Sequence, residues 1–246
     1  MSAPHPKAPE PPWRARLAAN LERVRQRIGS AARAAGRAPD SVALVAVTKA
    51  VEPPLARALV ELGQRDLGEN RDNALATKVR ALEELPVRWH FIGHLQRNKV
   101  KRVVPRIAVL HSLDSLRLVE ALAAVGPPPG FEAFLEVQWT DDPVKTGLAP
   151  EEVASVLEAA RRHGLSIRGL MSMGVHADAE RTARIFSSTR ELARDLEGRF
   201  EAPPQLSMGM SADLELAIEA GAHVVRVGSD LFDGVDTRVD GAGESA

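Results

Sequence analysis

Lys49 is the residue whose position most needs a chemical explanation. It follows Val42–Thr48 (VALVAVT), the most apolar strand-like run in the chain. Lysine is scarce: Lys7, Lys49, Lys78, Lys99, Lys101 and Lys145 are the only ones, and every other basic side chain apart from histidine is arginine. A lysine at the end of a buried strand is expected to have a lowered pKa, because burial disfavours its charged form. The neutral amine is a nucleophile toward aldehydes and ketones and gives a Schiff base. The competing reading is a lysine that snorkels to solvent or pairs with a carboxylate such as Glu69.

A second group of residues reads as an anion cradle. Ser207–Ser211 (SMGMS) and Arg226–Ser229 (RVGS) each end a strand-like segment near the C-terminus. Ser211 is placed to cap the following helix, whose free N–H groups would face an anion. Gly228 would let backbone amides approach that anion closely, with Ser229 beside it. Taken singly, Ser211 is an ordinary cap and Gly228 an ordinary turn glycine. Alternation along a strand puts Arg226 on the same face as Gly228. A guanidinium there can point at a ligand ring or at a buried carboxylate.

Other polar residues fall at strand ends. Asn70 (in GEN, 68–70) can touch a ligand or cap a helix, and the cap is the commoner role. His94 (GHLQ, 93–96), His111, Ser112 and Met171 to Gly174 (MSMG) occupy comparable places. His90 and His94 sit four residues apart, but on a strand that separates them by roughly 13 Å, so they do not share a metal. No metal site is expected. Lys145, in Asp142–Gly147, is either a second mouth lysine or an exposed loop residue.

These residues need a frame. An amphipathic helix opens the chain over Trp13–Gly36, with Leu17, Leu21, Val24 and Ile28 at helical spacing. Eight strand-like segments follow: 42–48, 66–68, 89–92, 107–111, 133–138, 166–171, 205–210 and 223–227. Helical patterns separate them at about 53–62, 71–85, 96–104, 115–124, 150–163, 179–196 and 212–220. Alternating β and α units with short connections predict a parallel sheet. Eight of them in 246 residues predict a closed (β/α)₈ barrel, whose chemistry sits at the carboxyl ends of the strands. An open doubly wound sheet is the alternative. No G-x-G-x-x-G follows the first strand, which counts against a dinucleotide-binding version.

Composition narrows the function classes. The formal net charge is −1, so no broad basic field recruits nucleic acid or an anionic membrane. There is no cysteine and no tyrosine. Thiolate chemistry, disulfides and a phenolic acid or base are therefore excluded. Residues 1–12 read as a disordered proline-rich tail, 13–235 as the barrel, and 236–246 as a second disordered tail. No apolar run approaches the ~20 residues of a membrane span, and a cytoplasmic location is expected.

Several stretches, read in order, resemble the pyridoxal phosphate homeostasis protein family. They are AVTK (46–49), GEN (68–70), WHFIGHLQRNK (89–99), HSLDS (111–115), KTG (145–147), GLMSMG (169–174), LSMGMSADLELAI (206–218) and VRVGSDLF (225–232). The resemblance implies a barrel like the N-terminal domain of fold-type III pyridoxal 5′-phosphate (PLP) enzymes such as alanine racemase. It implies PLP held as an aldimine of Lys49, with the phosphate near Ser211, Gly228 and Ser229 and the pyridine nitrogen near Arg226. Asn70, His94, Met171 and Ser207 complete the expected contacts. It further implies a monomeric, non-catalytic carrier or regulator of vitamin B6, with apo PLP enzymes as recipients. The chain departs from the family pattern at Arg71-Asp72-Asn73 after GEN and at Phe232-Asp233-Gly234 near the end.

Two enzymatic readings compete. One is a fold-type III racemase or decarboxylase. The racemase route draws a tyrosine from a second domain; the sequence has no tyrosine, and a barrel over 13–235 is expected to leave no residues for that domain. The other is a Schiff-base aldolase acting on a sugar phosphate, which explains a lysine beside an anion cradle equally well from chemistry alone. A scaffold without ligand leaves Lys49 unexplained.

Overall fold

Eight parallel strands close into a barrel in simple chain order, β1 to β8, with β8 pairing back onto β1. The structure is a computed structural model that describes residues 11–140 and 146–237. The strands are β1 (Ala43–Val47), β2 (Asp66–Glu69), β3 (Arg88–Phe91), β4 (Val109–Leu113), β5 (Glu132–Glu136), β6 (Ile167–Met171), β7 (Gln205–Ser207) and β8 (Val224–Val227). The helices are α1 (Pro12–Ala34), α2 (Pro53–Glu61), α3 (Asp72–Ala81), α4 (Val100–Val103), α5 (Leu116–Val125), α6 (Val153–Arg162), α7 (Ala179–Asp195) and α8 (Leu214–Glu219). The open-sheet alternative is excluded by the closed pairing. The helix begins at Pro12, inside the span assigned to the N-terminal tail. Residues 1–10, 238–246 and Lys145 lie outside the described residues.

The core has two layers because strand residues alternate in direction. The main cluster lies between the barrel and its helices and includes Leu44, Ala46, Leu67, Leu110, Leu135, Leu170 and Val225. The interior is filled by Val45, Val109, Phe134, Met171 and Val224. Leu17, Leu21, Val24 and Ile28 of α1 are buried as their spacing predicts. Each such side chain contributes roughly 1.5–3 kcal/mol of burial free energy. α1 packs on α2, α8 and the closing 3-10 turn Ser229–Leu231.

Element boundaries move where local chemistry overrides periodicity. The helix expected over 96–104 is α4 flanked by two 3-10 turns, Arg97–Lys99 and Val104–Arg106. Pro105 cannot donate within a continuing helix. The expected caps also fail. Arg71 is the N-cap of α3 and Asp213 that of α8, and neither helix has a side-chain cap. Asn70 and Ser211 lie in the turns ahead of those helices, with their side chains unspent on capping.

Candidate functional site

The β1–β8 register fixes the centre of the mouth. Val45 pairs opposite Arg226 and Ala46 opposite Val227, which carries Val47 opposite Gly228. A Cβ on Gly228 would lie 3.4 Å from Val47 Cβ. Val45 faces the barrel interior, so alternation turns Val47 the same way. Lys49 stands just past the strand, in the turn closed by the Val51 N–H to Thr48 carbonyl bond.

Lys49 is exposed and makes no hydrogen bond or ion pair among the described residues. The burial argument made from its apolar strand therefore does not hold. The strand ends at Val47, and the next side chain in the helix layer is Thr48, which is buried. Pairing with Glu69 is ruled out as well, because Glu69 is taken. Lys78 of α3 places its ammonium 2.6 Å from Glu69 Oε1 and donates to the Thr48 carbonyl at 2.7 Å. The Thr48 hydroxyl donates to the same Glu69 oxygen at 2.6 Å. This buried trio fixes the backbone next to Lys49 and leaves the amine of Lys49 without a partner among the described residues.

The two turns after β7 and β8 present a set of unspent donors. The backbone N–H groups of Ser211, Ala212, Gly228 and Ser229 make no hydrogen bond among the described residues. Gly209 makes the first turn possible. Its φ is +91°, and a Cβ there would come within 2.5 Å of Ala217 Cβ. Arg27 of α1 ties the two turns together. It donates to the Ser211 carbonyl at 3.1 Å, to Glu215 and to the Asp230 carboxylate. Backbone N–H groups left unpaired in this way are the kind of donor an anion can use.

Arg226 is buried beneath this mouth, at 4% exposure. It donates to Ser207 Oγ at 2.5 Å and to the Ser172 carbonyl at 3.2 Å. Burial pushes its guanidinium down to about 10, with Glu136 and Asp213 acting against the shift, so it stays charged at neutral pH. Ser207 is fully buried and bonded to Arg226 and His111, so its hydroxyl is spent inside the barrel and does not line the cradle. Met171 likewise sits in the interior cluster. His94 is exposed and bonds Asp114 at 2.8 Å. Asn70 is half-buried at the mouth, packed against Gly93, where a Cβ would fall 2.4 Å from the Asn70 carbonyl oxygen. Ser211 is half-buried and Ser229 exposed.

Sequence reasoning overlooked Glu136. It ends β5 on the inward face, two residues after Phe134, and is 3% exposed. Burial, reinforced by the charge of Asp114, pushes its carboxyl up to about 7. The Thr146 hydroxyl donates to it at 3.3 Å. Burial also raises Asp213, which faces Arg226 electrostatically. The available signal was a lone acid inside an apolar run, Phe134 to Val137, comparable to a lysine ending one. Among the described residues no three His, Cys, Asp or Glu side chains are grouped to hold a metal.

A parallel eight-stranded barrel with an amine at the tip of β1 and an anion cradle after β7 and β8 defines the class, that of the alanine racemase N-terminal barrel. The family model described as "Alanine racemase, N-terminal domain" matches residues 14–235. Alanine racemase from Bartonella henselae shares the fold at TM-score 0.67 and 17% identity, over 94% of this chain and 61% of that one.

The particular family is narrower: this chain belongs to the pyridoxal phosphate homeostasis proteins. It is 38% identical to the Pseudomonas aeruginosa member over 221 residues, covering 88% of this chain and 94% of that protein. It is 34% identical to the Escherichia coli member over 228 residues, covering 88% and 95%. PipY of Synechococcus elongatus, solved with PLP bound, superposes at TM-score 0.76 and 31% identity, over 88% of this chain and 99% of that one.

Proposed function

We propose that this chain binds PLP covalently through Lys49 and serves vitamin B6 homeostasis as a carrier without turnover. The observation that carries the reading is an amine just past β1 together with four amides in the turns after β7 and β8, none of them partnered among the described residues. One end fits an aldehyde and the other a phosphate. When bound, PLP supplies an aldehyde and an electron-withdrawing ring. Lys49 would hold the aldehyde carbon. The amides of Ser211, Ala212, Gly228 and Ser229 would hold the phosphate, with the hydroxyls of Ser211 and Ser229 beside them. Asn70, at the mouth after β2, is the remaining polar candidate.

Arg226 bears on the choice between storage and catalysis. A guanidinium is donor-only and stays protonated at neutral pH. Facing a pyridine nitrogen, it keeps that nitrogen unprotonated and weakens the electron sink. The sequence contains no tyrosine to serve as the second base of a racemase. Together these favour holding the cofactor over transforming an amino acid. The bound form of PipY supports the ligand. A monomer in the cytoplasm, passing PLP to apo-enzymes and binding no nucleic acid, completes the proposal. Among the described residues no helix is long and apolar enough to cross a membrane.

The test is borohydride reduction of the PLP-loaded protein followed by peptide mass mapping. The expected result is pyridoxyl on the peptide containing Lys49. Label on another lysine, or none, overturns the assignment. A sugar-phosphate adduct trapped in its place would favour the aldolase reading.

A further inference from the structure

A single file of hydrogen bonds crosses the barrel interior from its closed face to its mouth. Asp66 Oδ1 lies 2.9 Å from His90 Nε2, and His90 Nδ1 lies 2.8 Å from His111 Nε2. His111 Nδ1 lies 2.8 Å from Ser207 Oγ, which accepts from Arg226 at 2.5 Å. The members come from β2, β3, β4, β7 and β8 in turn. His90, His111, Ser207 and Arg226 are buried, whereas the Asp66 side chain is 33% exposed at the closed face. His111 stacks on Phe134 at 4.9 Å, which fixes its ring plane.

The donor inventory gives this file a direction. Arg226 can only donate, so one lone pair of Ser207 is committed to it. An ionised Asp66 can only accept, so His90 carries its proton on Nε2 and presents Nδ1 as an acceptor. His111 must then carry its proton on Nε2, which leaves Nδ1 to accept from the Ser207 hydroxyl. Every atom of the file is satisfied by one tautomer of each ring. The opposite polarity puts an imidazole lone pair against the Asp66 carboxylate and requires a proton on Asp66.

We propose that Asp66, acting through His90, His111 and Ser207, is the positioning residue that orients Arg226 at the mouth. Two imidazoles in an apolar barrel fill space less favourably than aliphatic side chains of similar volume, and a fully satisfied polar file specifies one arrangement.

The charged surroundings agree with this polarity. Arg88 of β3 and Arg168 of β6 face both rings, and Arg226 of β8 faces His111. Burial, aided by these cations, holds both imidazoles below the ordinary histidine range, against the pull of Asp66 on His90. Burial works against the Asp66 carboxylate, but His90, Arg88 and Arg168 outweigh it and hold the group below its usual range.

The test reads tautomers in the PLP-free protein, by ¹⁵N NMR of labelled histidine at neutral pH. Both His90 and His111 are expected as neutral Nε2–H tautomers. Asp66→Asn offers His90 either an acceptor or a donor, so both rings are expected to lose their single-tautomer signature. Ser207→Ala should perturb His111 alone, because Asp66 still fixes His90. An Nδ1–H tautomer at either ring in the unsubstituted protein overturns the relay. So does a His111 signal indifferent to a folded Asp66→Asn. If that variant does not fold, the unsubstituted tautomers and Ser207→Ala still decide the matter.

The consequence for the mouth rests on the cofactor reading. With PLP loaded, Asp66→Asn should shift the absorption band of the lysine-bound cofactor and its pH profile. Relay tautomers with an unmoved band would leave the file in place and refute its control of the mouth. Absence of any band in the unsubstituted protein would refute the PLP reading while leaving the tautomer result standing.

Discussion

The two ends of the barrel treat polar groups in opposite ways. At the closed end, charged groups at the starts of four strands are paired. Arg88 binds Glu132 at 2.6 Å and lies 3.7 Å from Asp66, and Arg168 reaches Glu132 at 3.1 Å and Gln205 at 2.8 Å. At the mouth, Lys49 and four backbone amides have no partner among the described residues, and a buried carboxyl at Glu136 is pushed up to about 7. Unmet donors and a perturbed acid cost stability and persist where a ligand uses them. The closed end organises the barrel, and the mouth holds capacity in reserve.

The largest effect expected is at Lys49. Lys49→Ala should abolish the visible band formed on adding PLP while moving the unfolding midpoint of the PLP-free protein by less than about 2 °C, because an exposed, unpaired side chain is removed. A retained band would move the chemistry elsewhere. A collapse in stability would mean that Lys49 is structural and erase the contrast between the two ends.

Lys78→Met should do the reverse. It leaves Glu69 buried with one carboxylate oxygen already unpartnered. Breaking a buried pair costs about 3–5 kcal/mol, read by denaturant unfolding. A loss below about 1 kcal/mol would show that the trio beside Lys49 is not what holds β1 to α3.

Acidity separates the two ends by sign. The folded state binds a proton at Glu136 more readily than the unfolded chain, whose carboxyl titrates near 4.5. Its contribution is therefore complete below about 4.5 and is lost as pH rises to about 7. The shift is on the order of 3 kcal/mol. The two buried imidazoles act oppositely, since their folded values lie below 6.5 and stability is lost as pH falls from 6.5. Glu136→Gln should flatten the decline between pH 4.5 and 7 and leave the acid-side loss, measured by unfolding across pH. An unchanged profile would place Glu136 in solvent.

The smallest effect is expected at Glu132. Glu132→Gln weakens partly exposed ion pairs with Arg88 and Arg168 and should cost under about 1 kcal/mol without altering PLP uptake. Altered uptake would show that the closed-end charges reach the mouth by a path other than Asp66.

Much of the fold, and the residues of the candidate site, are legible in the sequence. Lys49 stands out because an amine ends an apolar run in a lysine-poor chain, and the eight βα units follow from alternation of two periods. What the residues could not say was which polar groups neutralise one another. Ser207 reads as part of the cradle, yet its hydroxyl is taken inside the barrel by Arg226 of the neighbouring strand and by His111. Asn70 and Ser211 read as caps, yet both precede the true helix starts. Glu69 reads as a partner for Lys49 and belongs to Lys78, nine residues on along the chain.

Sequence by itself determined the barrel, the strand that Lys49 follows and the turns after β7 and β8, because apolar periodicity and glycine placement act locally. The tertiary structure alone decided the exposure of Lys49, the acidity of Glu136 and the file from Asp66 to Arg226. Each depends on barrel closure, which brings residues from distant strands within hydrogen-bonding distance in a medium where an unmet partner is costly.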